Sequence, residues 1–427
     1  MKLLTITNLY PRPDQPQRGL YNGQFFAALA RSLAGKWGAV QNVCLVPEWR
    51  PWRWRRIRRW EDPLGEGTSV HTSYLPVSYL PVFGRNKSWE KYGKALATVE
   101  SAAKEADSIL GTWLYPDGVA VAELGERAEK PVWLKVHGSD LQHLAVPARK
   151  EKILEACGKV RGVICVAEKL IDELDSQGIP RDKLYLVPNG IDGQKFCYRG
   201  RKEAVKRLLE LGNLPGPLQT ILATGADARI ILFVGNLVKV KGPDILVNAW
   251  IDMLKRSEEI GVAASEAILI VIGDGPMRSQ LENRIKKSGL TKRTFFVGAA
   301  SHEAVGLWMN VAQCLCVPSR SEGMANVMLE GIASGLPVVA TDVGAAGKLL
   351  ADHHSSRVVP IEVNGYGTTA RIKGRKARRK VLEELVGAIV AVLEDVVDRR
   401  REAERGKVLP KWPDAAERLL KAMGAES

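Results

Sequence analysis

The 427-residue sequence lacks several features that would announce a special environment or chemistry. No apolar run approaches the ~20 residues that a bilayer-spanning helix needs. The six cysteines (Cys44, Cys157, Cys165, Cys197, Cys314, Cys316) form no CxxC pair and stand mostly among apolar neighbours. That argues for reduced, buried thiols in a cytoplasmic protein, not for a disulfide framework. The opening MKLLTITNLYPRP turns polar too soon for the apolar region of a signal peptide and reads as a first strand. There is no DxD flanked by apolar strand residues and no His/Cys cluster with ligand spacing, so no metal site is expected. The loop after the first strand lacks GxGxxG, which disfavours a nicotinamide dehydrogenase. Negative charge is also short. Against 62 Lys and Arg stand 48 Asp and Glu, a net +14 that favours an anionic partner: nucleotide, phospholipid surface or nucleic acid. Charge alone does not choose among them.

What the sequence has is alternation. Short Val/Ile/Leu runs alternate with helical patterns, as in parallel sheets built from strand–helix–strand units. In the first half, strands are expected at Leu3–Thr7, Val43–Val46, Ser108–Thr112, Val132–Val136, Gly162–Val166 and Lys183–Val187. Helices are expected at Gln24–Ala34, Trp89–Glu105, Pro116–Ala128 and Glu168–Gln177. In the second half the strands are Ile230–Val234, Ala267–Ile272, Arg293–Val297, Cys314–Val317 and Pro337–Ala340. The helices between them are Gly242–Leu254, Met277–Ser288, His302–Asn310 and Val327–Ser334. A Gly- and Pro-rich linker follows VPNGIDGQKF. It divides the chain into a first domain at 1–195 and a second at 196–409, with a short amphipathic helix at about 410–427 packing back on the first. Two open parallel sheets imply a ligand cleft at the carboxyl ends of their strands.

The stretch SEGMANVMLEGIASGLPVVAT, from Ser321, carries two acids in a basic chain. Asn326 reads as a helix N-cap, Gly335 as its stop and Pro337 as the start of the next strand. Glu322 then precedes the helix in a loop opened by Gly323 and Ala325, and Glu330 falls about one turn inside, facing the same mouth. Bare N–H groups at a helix start suit a phosphate or a polarised sugar oxygen. Carboxylates beside them suit neutral hydroxyls, and a ribose diol can donate two hydrogen bonds to Glu330. The bland alternative is that both acids only complement the helix dipole.

This segment resembles the signature of retaining glycosyltransferases of family 4. The resemblance continues in order through ILFVGNLVKVKGPDILVNAW, LIVIGDGPMRSQLE and FFVGAASHEAVGLWMNVAQCLCVPSRSEG, and in the first half through LYPDGVA, VHGSDL and VAEKLIDELDSQGIPRDKLYLVPNGID. It implies an α/β GT-B fold of two Rossmann-like domains facing across a cleft, and its flavour is that of the branch making bacterial cell-surface polysaccharides. By this resemblance Lys241 meets the donor diphosphate, whose charge grows as the glycosidic bond breaks. Glu322 contacts hydroxyls of the transferred sugar, and His137 lies near its anomeric carbon. Gly235, Asn236, Gly273, Gly323, Met324, Ala325, Asn326, Val327 and Glu330 complete the donor-binding set. Gly19 and Gly23 would let backbone approach acceptor or phosphate closely. Two departures stand out. The family usually has an arginine where this chain has Asn236, which carries no charge. In TDVGAAGKLL, Ala345 and Lys348 replace a glycine and a glutamate.

WRPWRWRRIRRW (Trp49–Trp60) packs four Trp and six Arg into twelve residues. It reads equally as a segment docking on an anionic membrane surface and as a loop whose Trp pack on the domain while its Arg are solvated. A second basic run, Arg371–Lys380, reads as a solvated loop and helix start. No nucleic-acid-binding module is readable, so nucleic acid is not an expected partner. The expectation is a retaining hexosyltransferase that moves a sugar from a nucleoside-diphosphate sugar to a glycan or lipid-linked acceptor, without metal or other cofactor, in the cytoplasm or at the inner face of the membrane. A catalytically weak sugar-nucleotide binder and a nucleotide-sugar epimerase are the alternatives.

Overall fold

The computed structural model of the chain describes residues 1–16, 19–34, 38–64, 70–78, 85–212, 214–224, 228–260, 266–395 and 397–425. Residues 213 and 225–227 of the expected linker and 426–427 of the expected last helix lie outside the described residues. Two units are formed, Met1–Gly190 with Pro410–Ser427, and Ile191–Leu409. Among the described residues no helix is long and apolar enough to cross a membrane.

The first unit is built on seven parallel strands: β1 (Lys2–Thr7), β2 (Ala39–Pro47), β3 (Val70–Val77), β4 (Ser108–Thr112), β5 (Val132–Val136), β6 (Gly162–Cys165) and β7 (Leu184–Leu186), in the order β3-β2-β1-β4-β5-β6-β7. The inner strands β4 and β5 are buried along their whole length, as strands covered on both faces must be. The edge strand β3, VHTSYLPV, was not expected; its polar residues and Pro76 are tolerated because an edge leaves one side of the ladder unpaired. The helix Pro147–Lys159 was not expected either, and it buries only Ile153, Ala156 and Cys157. The helix expected at Trp89–Glu105 is broken by a tight turn at Ala97–Val99, where Thr98 and Val99 are β-branched. The last helix, Trp412–Ala422, lies on helix Leu20–Ala34, its indole 6.1 Å from Phe25 and 6.4 Å from Tyr21. Where the chain returns, Gly190 touches Lys411 so closely that a Cβ would stand 2.4 Å from its carbonyl carbon.

The second unit has six parallel strands: β8 (Arg229–Val234), β9 (Ala267–Ile272), β10 (Thr294–Gly298), β11 (Cys314–Val317), β12 (Val338–Thr341) and β13 (Arg357–Val359), in the order β10-β9-β8-β11-β12-β13. Strand order thus reverses between β1 and β4 in one sheet and between β8 and β11 in the other. In doubly wound sheets, the crevice beyond the strand ends at that reversal is where ligands bind. The basic run at Arg371–Lys380 opens helix Gly374–Glu394, whose Val381, Leu385, Ile389 and Leu393 are buried in the core on one sheet face. A single buried guanidinium closes two helix ends. Arg399 donates to Asn310 O (2.9 Å), Ala312 O (3.0 Å), Gly335 O (3.2 Å), Ser334 O (3.3 Å) and Met309 O. These carbonyls end helices His302–Val311 and Asn326–Ala333, which otherwise leave their last acceptors unpaired.

Candidate active site

The carboxyl ends of β8 and β9 cross at a pair of glycines. A Cβ on Gly273, which has φ +128°, would lie 2.0 Å from Gly235 O, so no side chain fits there. Asn236 follows on the surface. The chain then makes one tight turn, Lys239–Lys241, and enters helix Pro243–Lys255 through Gly242 at φ +68°. A Cβ on Gly242 would stand 1.8 Å from Pro318 O, so this loop is pressed onto the segment after β11. Arg320 pins it. Its N–H donates to Val240 O at 2.7 Å, and its buried guanidinium reaches Lys239 O at 2.5 Å and both carboxylate oxygens of Asp244 at 2.8 and 2.7 Å.

This bracing brings together two residues that lie far apart in sequence. Lys241 Nζ stands 2.6 Å from Glu322 Oε1, and Ser319 Oγ donates to the same oxygen at 2.9 Å. The lysine side chain keeps 35% of its surface exposed and the glutamate 11%. The backbone behind Glu322 is held from the loop after β12: Ala345 N donates to Gly323 O at 3.0 Å, and a Cβ on Gly344 would come within 2.4 Å of Glu322 O and Gly323 O. Ala345, one of the replacements noted in the sequence, therefore lies in a loop that still braces Glu322 through its main chain, and Lys348 lies in the short helix Ala346–Leu350 that follows.

Helix Asn326–Ala333 starts one residue earlier than the expected Val327. Ala325 is the N-cap and no side chain caps the helix; Asn326 is the first helical residue, not the capping one. The physical reason is that the extended conformation at Ala325 is fixed by the packed loop before it, which leaves the Asn326 side chain no capping position. Met324 and Val327 are half-buried at this end, and Glu330, one turn in, is 3% exposed. Gly335, at φ +66°, ends the helix, with Leu336 N donating to Gly331 O at 2.9 Å.

In the first unit, His137 follows β5. Its backbone N–H donates to Asp140 Oδ2 at 2.8 Å, and Leu114 N donates to Asp140 Oδ1 at 2.7 Å, so one buried carboxylate ties the ends of β4 and β5. Burial pushes the Asp140 carboxyl up to about 6. Burial, with Lys135 nearby, pushes the His137 imidazole down to about 3, so it is neutral at physiological pH. Its Nε2 is buried with no hydrogen-bond partner among the described residues. The Trp113 ring lies 5.8 Å away, and Trp113 holds a left-handed φ of +73° that non-glycine residues rarely adopt. Gly19, at φ +65°, closely approaches its own loop: a Cβ would lie 2.3 Å from the carbonyl carbon of Leu9. Gly23 is buried in helix Leu20–Ala34, where a Cβ would meet Leu64 at 2.5 Å.

Four residues of these surroundings carried no assigned role in the sequence: Arg320, Asp244, Asp140 and Asp117. The last is fully buried and receives Asn8 N and Asn8 Nδ2, both at 3.1 Å. The signal was present, since Asp117 and Asp140 each follow a strand end within LYPDGVA and VHGSDL, where a carboxylate can collect loop N–H groups. In Trp49–Trp60 the packing reading holds in part. Ile57 is buried, Trp54 Nε1 donates to Glu48 O at 3.1 Å, and Trp60 meets the Tyr74 ring edge-on at 5.6 Å. Trp49 and Trp52 are 53% and 72% exposed, and Arg55, Arg56, Arg58 and Arg59 are exposed beside them.

Comparison with known proteins places this geometry. The family described as Glycosyltransferase Family 4 matches residues 58–195, and that described as Glycosyl transferases group 1 matches residues 219–365. A putative teichuronic acid biosynthesis glycosyltransferase of Bacillus subtilis (strain 168) is 25% identical over 378 residues, covering 84% of this chain and 86% of that protein. A D-inositol 3-phosphate glycosyltransferase of Kribbella flavida is 34% identical over 223 residues, covering 50% of this chain and 48% of that one. Among solved structures, Anabaena Alr3699/HepE in complex with UDP and glucose superposes with a TM-score of 0.69 at 15% identity, over 100% of both chains. A sucrose-phosphate synthase of Thermosynechococcus elongatus gives 0.69 at 18%, again over 100% of both. At such identities the structural likeness speaks for the fold.

Proposed function

This chain belongs to the glycosyltransferases of the GT-B fold, and on that premise we propose that it moves a hexose-type sugar from a nucleoside-diphosphate sugar to an acceptor hydroxyl with retention of anomeric configuration. The acceptor is a glycan or lipid-linked saccharide of cell-surface polysaccharide or glycolipid synthesis, the setting in which the B. subtilis relative is named. Support for a nucleotide-sugar donor comes from the Anabaena neighbour, whose structures hold UDP and UDP-glucose.

The observation that carries the reading is the 2.6 Å contact between Lys241 and Glu322 beside an uncapped helix start. A departing diphosphate needs positive charge that acts more strongly on the transition state than on the ground state. Lys241 supplies it, and the helix N-terminus adds the favourable end of its dipole. The contact also couples two events. A diphosphate competes with Glu322 for the ammonium, and the carboxylate it displaces becomes free to accept hydroxyls of the transferred sugar. Glu330 takes the ribose diol. Neutral His137 serves by hydrogen bonding and not by charge. Asn236 replaces a cation with an amide, so Lys241 bears more of the neutralisation than in relatives that keep arginine.

A thermal-shift screen over UDP-, GDP- and ADP-sugars tests donor binding, because a ligand that binds only the folded chain raises its melting temperature. Glu330→Ala is expected to abolish the best shift. NMR of the product then reads its anomeric configuration. An inverted product, or a new nucleotide sugar formed without acceptor, overturns the assignment.

We further propose that Trp49, Trp52 and the four exposed arginines dock the first unit on an anionic leaflet where a lipid-linked acceptor is presented. Co-sedimentation with phosphatidylglycerol vesicles that survives replacement of Arg55, Arg56, Arg58 and Arg59 by Ser rejects this.

A further inference from the structure

The second unit carries a concave surface that the proposed reaction does not use. Two adjoining cavities, of about 990 and 340 Å³, share Asn248, Arg284 and Leu382 as walls. The larger lies between helices Pro243–Lys255, Arg278–Lys287 and Gly374–Glu394; the smaller reaches Lys239, two residues before Lys241. Neither is lined by Lys241, Glu322 or Glu330. Together they make a groove along the flank of helix Pro243–Lys255.

Its chemistry is uneven in a useful way. Ile251, Leu382 and Val386 provide an apolar floor. The carboxylates present are already taken: Asp252 by Arg256 at 3.3 Å, Glu383 by Arg379 at 2.7 Å and Asp244 by Arg320 at 2.7 Å. What remains is cationic. Lys239, Lys255, Arg284, Arg371 and Arg378 line the groove, and among the described residues none of them has a carboxylate within ion-pair distance. Where the two cavities meet, Asn248 Oδ1 is buried with no donor among the described residues. Scattered exposed lysines and arginines are ordinary. Five uncompensated cations around one concave floor, with an orphan amide oxygen between them, are less so.

We propose that this groove binds an anionic oligosaccharide, a run of sugar units bearing carboxylate or phosphate groups, laid along helix Pro243–Lys255. Sugar C–H faces cover Ile251, Leu382 and Val386; a hydroxyl satisfies Asn248; the acidic substituents meet Arg284, Arg378 and the two lysines. Single-stranded nucleic acid is disfavoured because, among the described residues, no aromatic side chain lines the groove for base stacking. A bilayer is disfavoured because the cations rim a hollow and do not surround protruding apolar side chains. The choice of a saccharide over other polyanions rests on the glycosyltransferase reading; the surplus of positive charge does not.

The test uses the full chain and fluorescein-labelled hexagalacturonate in an anisotropy titration, with maltohexaose, poly-U RNA and phosphatidylglycerol vesicles as competitors. Binding of the acidic hexamer is expected to weaken about tenfold in the Arg284→Ser/Arg378→Ser variant, since both side chains are exposed and their loss removes charge and not packing. Asn248→Leu is expected to weaken the hexamer but not inorganic tripolyphosphate. Unchanged affinity in the double variant, equal displacement by maltohexaose, or tighter retention of RNA or vesicles at the same arginines overturns the proposal, as does an Asn248→Leu effect equal for both anions. The nucleotide-sugar thermal shift is read in parallel on the same variants. If no donor shifts the wild type while the hexamer still binds through the arginines, the function assigned above fails and the groove stands.

Discussion

At the scale of single residues, the site turns on an ammonium that already has a partner. Lys241→Ala is expected to lower kcat/KM by about 10²–10³-fold, the usual loss when one preorganised charge at a transition state is removed. The melting temperature should move little, because the lysine is a third exposed and such pairs contribute modestly to stability. A steady-state assay beside a melting curve separates the two effects. A second residue-scale prediction concerns Lys135, fully buried on β5, with Nζ 3.0 Å from Asn189 Oδ1 and 3.9 Å from the Phe25 ring centroid. Burial pushes its ammonium down to about 7. Between that value and its ordinary pKa the unfolded chain binds more protons than the folded one, so the folded state gains stability as pH rises through this window. Wild type should therefore gain on Lys135→Met between pH 7 and pH 9.5, by at most about 1.4 kcal/mol per pH unit. Parallel melting temperatures for the two proteins across that range would refute it.

At the scale of elements, the loop that presents Lys241 is fixed from two sides. Gly242→Ala puts a Cβ into Pro318 O and forces a left-handed φ, which should cost about 2–4 kcal/mol and reduce donor affinity together. Arg320→Met strands Asp244 and is expected to cost a similar amount; adding Asp244→Leu should recover part of it, because the unpaired carboxylate is the larger penalty. Chemical denaturation of the three variants measures both. Legibility in the sequence followed burial. Ser108–Thr112, Val132–Val136, Ala267–Ile272 and Cys314–Val317 have the limits expected of them, because strands covered on both faces read as unbroken apolar runs. The edge strands β3 and β13 and the thinly apolar helix Pro147–Lys159 were not legible, since partial burial leaves a weak pattern. Lys241 and Glu322 could be picked out by motif, but their contact could not. It depends on Arg320 and Gly242 drawing together two segments some eighty positions apart, and no spacing within either segment records that.

At the scale of the whole molecule, the two units differ in how they are closed. The second is continuous in sequence, whereas the first needs Pro410–Ser427 to complete it. Trp412→Ala should remove about 3–5 kcal/mol from the first unit alone, as expected for deleting a large buried ring. Scanning calorimetry should then show one transition moving down in temperature while the other holds, and a uniform shift of both would count against independent cores. The same arrangement has a consequence for biosynthesis. Helix Leu20–Ala34 is translated well before helix Trp412–Ala422, so the greasy flank of Phe25 and Leu29 waits for a segment made only after the entire intervening unit. A nascent chain stalled anywhere before Trp412 therefore displays that flank to chaperones and proteases, which gives the cell a ready mark of unfinished copies.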